Sequence, residues 1–224
     1  MNKQYYISEA KRAANTQINE LKKIKKIFNK SFIKAVDLIL NCKGKIIFAG
    51  IGKSGLIARK ISATFSSVGI PSFFCDPAQA LHGDMGQIEK KDILIIFSYS
   101  GNTSELTNMI KYANRYNIKI IGIASKPDSI LLKASDIKLI LPKVKESDVT
   151  GMVPTSSTSI TLLLGDCLAT TIMRQKKFSK EKFKIYHPGE NIGNTLLLAK
   201  DIMLVGKKIP IINYKKNLKK LFVK

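Results

Sequence analysis

DILIIFSYSGNTSE, residues 92–105, divides into two halves of opposite character. The first, Ile93 to Phe97, is an unbroken apolar run of the kind a parallel sheet buries on both faces. The second gathers Ser98, Ser100, Gly101, Asn102 and Thr103 where a helix should begin, and Leu106, Met109, Ile110 and Ala113 mark the apolar face of that helix. Thr103 or Asn102 reads as its cap. A helix N-terminus lined with hydroxyls suits an anion, because unpaired N–H groups and the helix dipole both favour negative charge. The same residue types also build ordinary turns. The stretch alone therefore leaves phosphate binding and plain turn chemistry side by side.

Outward from it the chain alternates. Strand candidates fall at 45–49, 72–75, 93–97, 118–124 and 137–141, with helices at 54–68, 103–116 and 129–135. That alternation belongs to a parallel, doubly wound α/β sheet. Residues 156–174 are apolar nearly all round, which marks a helix buried in the domain or between subunits. Asp166 inside that helix reads as a hydrogen-bonded core carboxylate. Ahead of the first strand, residues 8–41 carry Ile18, Leu21, Ile24, Phe28, Phe32, Val36 and Ile39 at three- and four-residue steps. This is a long amphipathic helix or two, whose stripe needs cover from the domain body or from a partner subunit. The division expected is an N-terminal helical segment (1–42) packed on one α/β domain (43–203), then a short basic tail (204–224) too small to bury a core.

Composition narrows the functional classes. No apolar run approaches the ~20 residues of a membrane span. The N-terminal MNKQYYISEAKRAANTQ has no apolar leader, so a cytoplasmic location without a membrane partner is expected. Cys42, Cys75 and Cys167 are odd in number and lack metal-site spacing, which implies reduced, buried thiols and no metal site. The net charge is +22, but 34 of the 38 basic residues are Lys and they scatter over all the helices. A nucleic-acid reader would focus its charge on one Arg-bearing face, so no specific nucleic-acid partner is expected.

The first strand runs into GIGKSG, residues 50–55, a G-x-G-x-x-G pattern, and Asp76 follows at about the ~20-residue offset of a ribose-binding acid. That keeps a dinucleotide-binding oxidoreductase open, while Ile47 excludes a Walker A loop. A second anion-friendly turn at 98–103 favours a smaller phosphorylated ligand, which both turns would hold in one crevice. Lys53 offers a compact charge for phosphate or for a developing oxyanion. The two histidines, His82 and His187, both lie in Gly-punctuated breaks, away from any apolar helix face, and suit proton transfer. Glu105 and Glu146 are the carboxylates beside Gly- and Ser-rich loops, Glu105 having a second use as a first-turn helix acid.

Taken together, residues 50–55, His82-Gly83-Asp84, SYSGNTSE at 98–105, PTSST at 154–158 and His187-Pro188-Gly189 resemble the sugar isomerase (SIS) domain, and within it the arabinose 5-phosphate isomerases. The resemblance covers about residues 5–203. It implies a five-stranded parallel sheet sandwiched between helices, a flavodoxin- or Rossmann-like three-layer fold. It implies interconversion of D-ribulose 5-phosphate and D-arabinose 5-phosphate, feeding the 3-deoxy-octulosonate (KDO) sugar of lipopolysaccharide, in a homotetramer that shares its sites between subunits. Carried over by motif, Lys53, Glu105, Glu146 and His187 are the catalytic positions. Gly52, Ser54, His82, Ser98, Ser100, Thr103, Ser156 and Ser157 are the substrate-binding ones. The reaction is internally balanced and needs no redox cofactor. A Glu serving as its carbon base works best with a pKa raised by burial.

The chain departs from that family in three places. Glu190 stands where the family's motif has a second Gly, Asp76 stands where relatives often carry a metal-binding His, and Asp201-Ile202-Met203 resembles the opening of a CBS repeat of which little follows. The expectation is a catalytic domain without the CBS pair. Two further readings stay beside it: a non-catalytic SIS module that senses sugar phosphates, and an isomerase of a different phosphosugar.

Overall fold

In a computed structural model that describes residues 3–187, 199, 203–209 and 211, five strands form one parallel sheet. They are β1 (Ile46–Gly50), β2 (Ser72–Phe74), β3 (Ile93–Phe97), β4 (Lys119–Ala124) and β5 (Ile137–Ile140), in the order β2-β1-β3-β4-β5. Every residue of β1 and β3 is buried, as the continuous apolar runs require. Ile46 pairs with Ile93 and Gly50 with Phe97, so β1 and β3 end level with each other. Chain order reverses between these two strands, and the crevice beyond their C-terminal ends is where open α/β sheets place ligands.

Alternation along the strands builds two cores. Ile46, Phe48, Ile95, Phe97, Ile121 and Leu139 face one side, where α2 (Lys30–Leu40), α3 (Gly52–Ser67) and α7 (Ser156–Gln175) cover them. Ile47, Ala49, Leu94, Ile96 and Ile120 face the other, against α4 (Pro77–Ala80), α5 (Thr107–Arg115) and α6 (Ile130–Ala134). The three-layer architecture is the one expected, and its strands begin and end within a residue of the sequence-based ranges. Gly165 lets α7 lie close on α3, since a Cβ there would come within 2.5 Å of Ile61 Cδ1.

The N-terminal stripe is two helices and a joint. α1 (Gln4–Leu21) leads through a 3-10 segment (Lys22–Ile27) into α2. The domain body covers Ile24, Ile27, Val36 and Ile39, while Ile18 and Phe28 stay exposed and α1 buries no residue at all. On α7, Ile160, Leu164, Leu168 and Ile172 are buried, but Leu162, Leu163 and Met173 are only half-covered. Asp166 corrects the sequence reading. It lies on that half-covered flank and pairs with Lys60 of α3 at the surface, outside the core. Cys75 is buried as expected, but Cys42 and Cys167 are only partly so, and all three are free. The helix expected at 103–116 opens with a 3-10 turn (Ser104–Leu106) before α5, and a short α8 (Lys180–Tyr186) was not foreseen. No described helix is long and apolar enough to cross a membrane. Pro188, Gly189, Glu190, Asp201, Ile202 and most of 204–224 lie outside the described residues.

Candidate active site

The turn after β1 is built by its glycines. Gly52 has φ +57, a backbone conformation open to glycine, and starts α3. A Cβ on Gly55 would sit 2.6 Å from the carbonyl oxygen of Gly50, so only glycine lets the helix start so close to the strand end. Lys53 and Ser54 thereby stand in the first turn of α3 at the C-terminal edge of the sheet. Lys53 is exposed and forms no ion pair among the described residues.

From β5 an extended segment carries Glu146 back to the start of α7. Three donors converge on Glu146 Oε2: Thr155 N at 2.7 Å, Thr155 Oγ1 at 2.9 Å and Ser157 N at 3.3 Å. The carboxylate thus occupies the N-terminus of α7, where orphan N–H groups favour an anion. Partial burial pushes its pKa up, but the hydrogen bonds from Ser157 and Thr155 outweigh that, and the net shift is downward. The raised pKa that would suit a carbon base best is therefore not what this carboxylate has. The half-buried carboxylate is ionised at neutral pH because its bonds dominate its desolvation.

A cavity of about 360 Å³ joins these parts, with Lys53, Ser54, Tyr99, Glu146, Ser157 and Thr158 in its wall. Four residues singled out in the sequence therefore meet here: Lys53, Ser54, Glu146 and Ser157. Gly52 lines the adjoining crevice on the β2 side. Ser156 Oγ is fully buried and has no hydrogen-bond partner among the described residues, and Ser156 does not line the cavity.

The loop after β3 is organised inward. Ser98 is buried, its hydroxyl pairing with Thr103 Oγ1 at 2.8 Å and accepting from Gly101 N at 3.0 Å. Ser100 Oγ accepts from Asn102 N at 3.3 Å, and Asn102 Oδ1 accepts from Ile130 N, the first residue of α6. Neither proposed cap works as one: Thr103 is engaged by Ser98, Asn102 is spent on α6, and the chain answers with a 3-10 turn. Glu105 is exposed on that turn, its pKa held down by the Ser104 hydroxyl, and it forms no ion pair with Lys53.

The histidines are not in the cavity. His82 is exposed just beyond α4, and its ring makes no hydrogen bond among the described residues. His187 caps the C-terminal end of α8, stacked on Phe183 at 3.7 Å with Nδ1 2.9 Å from the Phe183 carbonyl. The preceding Tyr186 packs over Gly69 in a hollow lined by Lys45, Pro71 and Ser72. Those residues lead into β1 and β2, so His187 sits at the entry edge of the sheet. Lys53 and Glu146 sit at the exit edge, a strand length of about 16 Å away.

Tyr99 is the main site residue the sequence reading passed over. Its hydroxyl donates to the Pro142 carbonyl at 3.2 Å and accepts from Val144 N at 3.0 Å, tying the loop after β3 to the segment that carries Glu146. Its place inside SYSGNTSE was the only signal available. The dinucleotide reading loses its acid, because Asp76 accepts from Ala78 N at 2.9 Å and caps α4. The sheet order also differs from the 3-2-1-4-5-6 of dinucleotide folds. Among the described residues no cluster of His, Cys, Asp and Glu is placed to hold a metal.

Comparison with known proteins brings independent findings. A family model described as SIS domain matches residues 39–171. The chain is 43% identical over 203 residues to protein RP505 of Rickettsia prowazekii, covering 91% of this chain and 63% of that one. It is 41% identical over 191 residues to arabinose 5-phosphate isomerase KdsD of Escherichia coli K12, covering 85% and 58%. The chain thus spans about three fifths of the length of these curated relatives. Among solved structures, c3406 of E. coli CFT073, in complex with arabinose 5-phosphate, superposes with a TM-score of 0.80 at 33% identity, covering 84% of this chain and all of that one.

Proposed function

The chain belongs to the SIS domain family, and from that premise we propose that it interconverts D-ribulose 5-phosphate and D-arabinose 5-phosphate. The observation that carries the reading is the cavity at the strand switch point. It sets an exposed ammonium (Lys53), an ionised carboxylate (Glu146) and small hydroxyls (Ser54, Ser157, Thr158) around a space sized for a pentose phosphate. The 41% identity to an arabinose 5-phosphate isomerase supports this reaction over others that such a cavity would serve.

The chemistry follows from the geometry. Glu146, anchored through Oε2, takes the proton from C2 of the aldose and returns it to C1, passing through a cis-enediolate. Lys53 steadies the charge that develops on the oxygens. His187 moves the proton between O1 and O2, and Glu105 and His82 hold substrate hydroxyls. Ser98, Ser100, Thr103 and Ser156 receive the phosphate once the pairing of Ser98 with Thr103 opens. His187 lies at the far edge of its own sheet, so it acts on the site of a neighbouring subunit within a homotetramer. The product would feed the 3-deoxy-octulosonate sugar of lipopolysaccharide. Of the three parts of the chain, 1–42 serves as a helical brace on the domain 43–203, with 204–224 a tail.

The test is purified protein with ribulose 5-phosphate and no added cofactor, with arabinose 5-phosphate followed by chromatography. Formation of arabinose 5-phosphate to a constant ratio from either side supports the reading. Inertness toward both sugars, with a folded protein, refutes it.

A further inference from the structure

α1 buries no residue, yet polar contacts fasten it beside the site. Gln17 Nε2 donates to Ser147 Oγ at 3.4 Å, and Gln17 Oε1 accepts from Ser159 Oγ on α7 at 2.9 Å. Five residues earlier, Arg12 Nη2 donates to the Ser147 carbonyl at 3.2 Å. Ser147 is buried, directly follows Glu146, and gives its own N–H to Thr155 Oγ1 at 2.9 Å. That same Thr155 hydroxyl is one of the three donors to Glu146 Oε2. At the other end of the segment Tyr99 holds Pro142 and Val144. The backbone carrying Glu146 is therefore held from the sheet by Tyr99 and from the N-terminal helical segment by Gln17 and Arg12. Lys23 Nζ also donates to the Lys143 carbonyl at 3.4 Å, and the Glu20 carboxylate accepts from the Lys145 backbone. Of these only Gln17 also reaches α7.

We infer that Gln17 is a positioning residue: by bridging Ser147 and Ser159 it locks the 142–147 segment onto the start of α7 and so fixes the Glu146 carboxylate. Its effect on turnover rests on the isomerase reading above. Its mechanical effect rests on the bridge alone. The amide is suited to the task because it supplies one donor and one acceptor in a single rigid plane, which no apolar residue of equal size can do.

Gln17→Leu keeps the volume and removes both bonds. The expected result is a kcat lower by about tenfold with KM unchanged within about twofold, the scale of one net hydrogen bond acting on orientation. Amide hydrogen exchange at Thr155 and Ser157, whose N–H groups Glu146 holds, should speed up by about tenfold while the buried amides beyond Leu164 stay as in wild type. Ser147→Ala opens the bridge at its Glu146 end without touching α1, leaving Gln17 bound to Ser159. The double variant should be no slower than the worse single one, because Gln17→Leu already removes the bond that Ser147→Ala removes. If Gln17→Leu loses its far-ultraviolet helix signal, Ser147→Ala carries both readouts. Unchanged exchange at Thr155 and Ser157, or losses that multiply in the double variant, would overturn the proposal. A wild type that turns over no pentose phosphate would overturn the isomerase reading, and the exchange result would then decide the role of Gln17 by itself.

Discussion

Replacing Glu146 by Gln keeps the side-chain length and an oxygen for Thr155 N, Thr155 Oγ1 and Ser157 N, and removes only the charge. An ionised acceptor strengthens each hydrogen bond by about 1 kcal/mol over a neutral one. A carboxylate at a helix N-terminus adds about 0.5 kcal/mol. The sum is about 3.5 kcal/mol, which solvent screening at this half-open position cuts to about 1–2 kcal/mol. With a urea slope near ~3 kcal/mol/M, the unfolding midpoint of Glu146→Gln should fall by about 0.5 M at neutral pH. The chain has no tryptophan, so circular dichroism is the probe, at one fixed protein concentration because the proposed assembly would contribute to stability. The folded-state pKa of Glu146 lies below its ordinary 4.5, so its stabilisation is fully present above that value and is lost as pH falls through the folded pKa. The gap between wild type and variant must therefore close in acid. Equal midpoints at neutral pH, or a gap that persists undiminished in acid, would refute the reasoning. Turnover, by contrast, should fall by about 10²–10⁴, the scale of a lost general base in a protein that remains folded.

Other outcomes follow from the same geometry. Lys53→Ala and His187→Ala should each be inactive alone, and mixed subunits should regain about a quarter of the wild-type rate by random pairing; no recovery after verified exchange would place both residues in one subunit's site. Gly55→Ala should lower stability by about 1–2 kcal/mol in urea unfolding. Its new methyl meets backbone 2.6 Å away at Gly50, and the ~1 kcal/mol of helix propensity gained does not offset that. Labelled nucleic acid should show no tight, sequence-dependent anisotropy change at ~150 mM salt, since scattered lysines give only screened attraction.

The sheet was legible because β1 and β3 are buried on both faces and therefore write continuous apolar runs, and because glycines mark the turn into α3. The cavity was legible in part. Lys53, Ser54, Glu146 and Ser157 lie in short motifs whose turns the chain needs anyway. What the sequence hid was side-chain pairing over distance. The pairing of Ser98 with Thr103, the diversion of Asn102 to α6 and the grip of Tyr99 on Val144 depend on which loops the sheet order brings together. The lowered pKa of Glu146 was out of reach for the same reason, since nothing near Glu146 in the sequence reveals that the start of α7 folds back onto it. Asp166 was placed inside because an all-apolar neighbourhood was read as burial all round, while α7 turns one flank to the surface.

The polarity of a parallel sheet sets a rule for how copies of this chain can combine. Lys53 stands at the exit edge and His187 at the entry edge, so if His187 serves a neighbour's site as proposed, completing that site brings opposite ends of two sheets together. If a dyad relates the two molecules, with their strand directions opposed, each tip meets the other's tail and two sites close at once. Translation along the strand direction would instead complete every site but one and leave a growing fibre. On the shared-site proposal a self-limiting assembly therefore needs a closed symmetry, a dyad or a ring, and in the dyad case dilution past the point where the pair parts would silence both sites together.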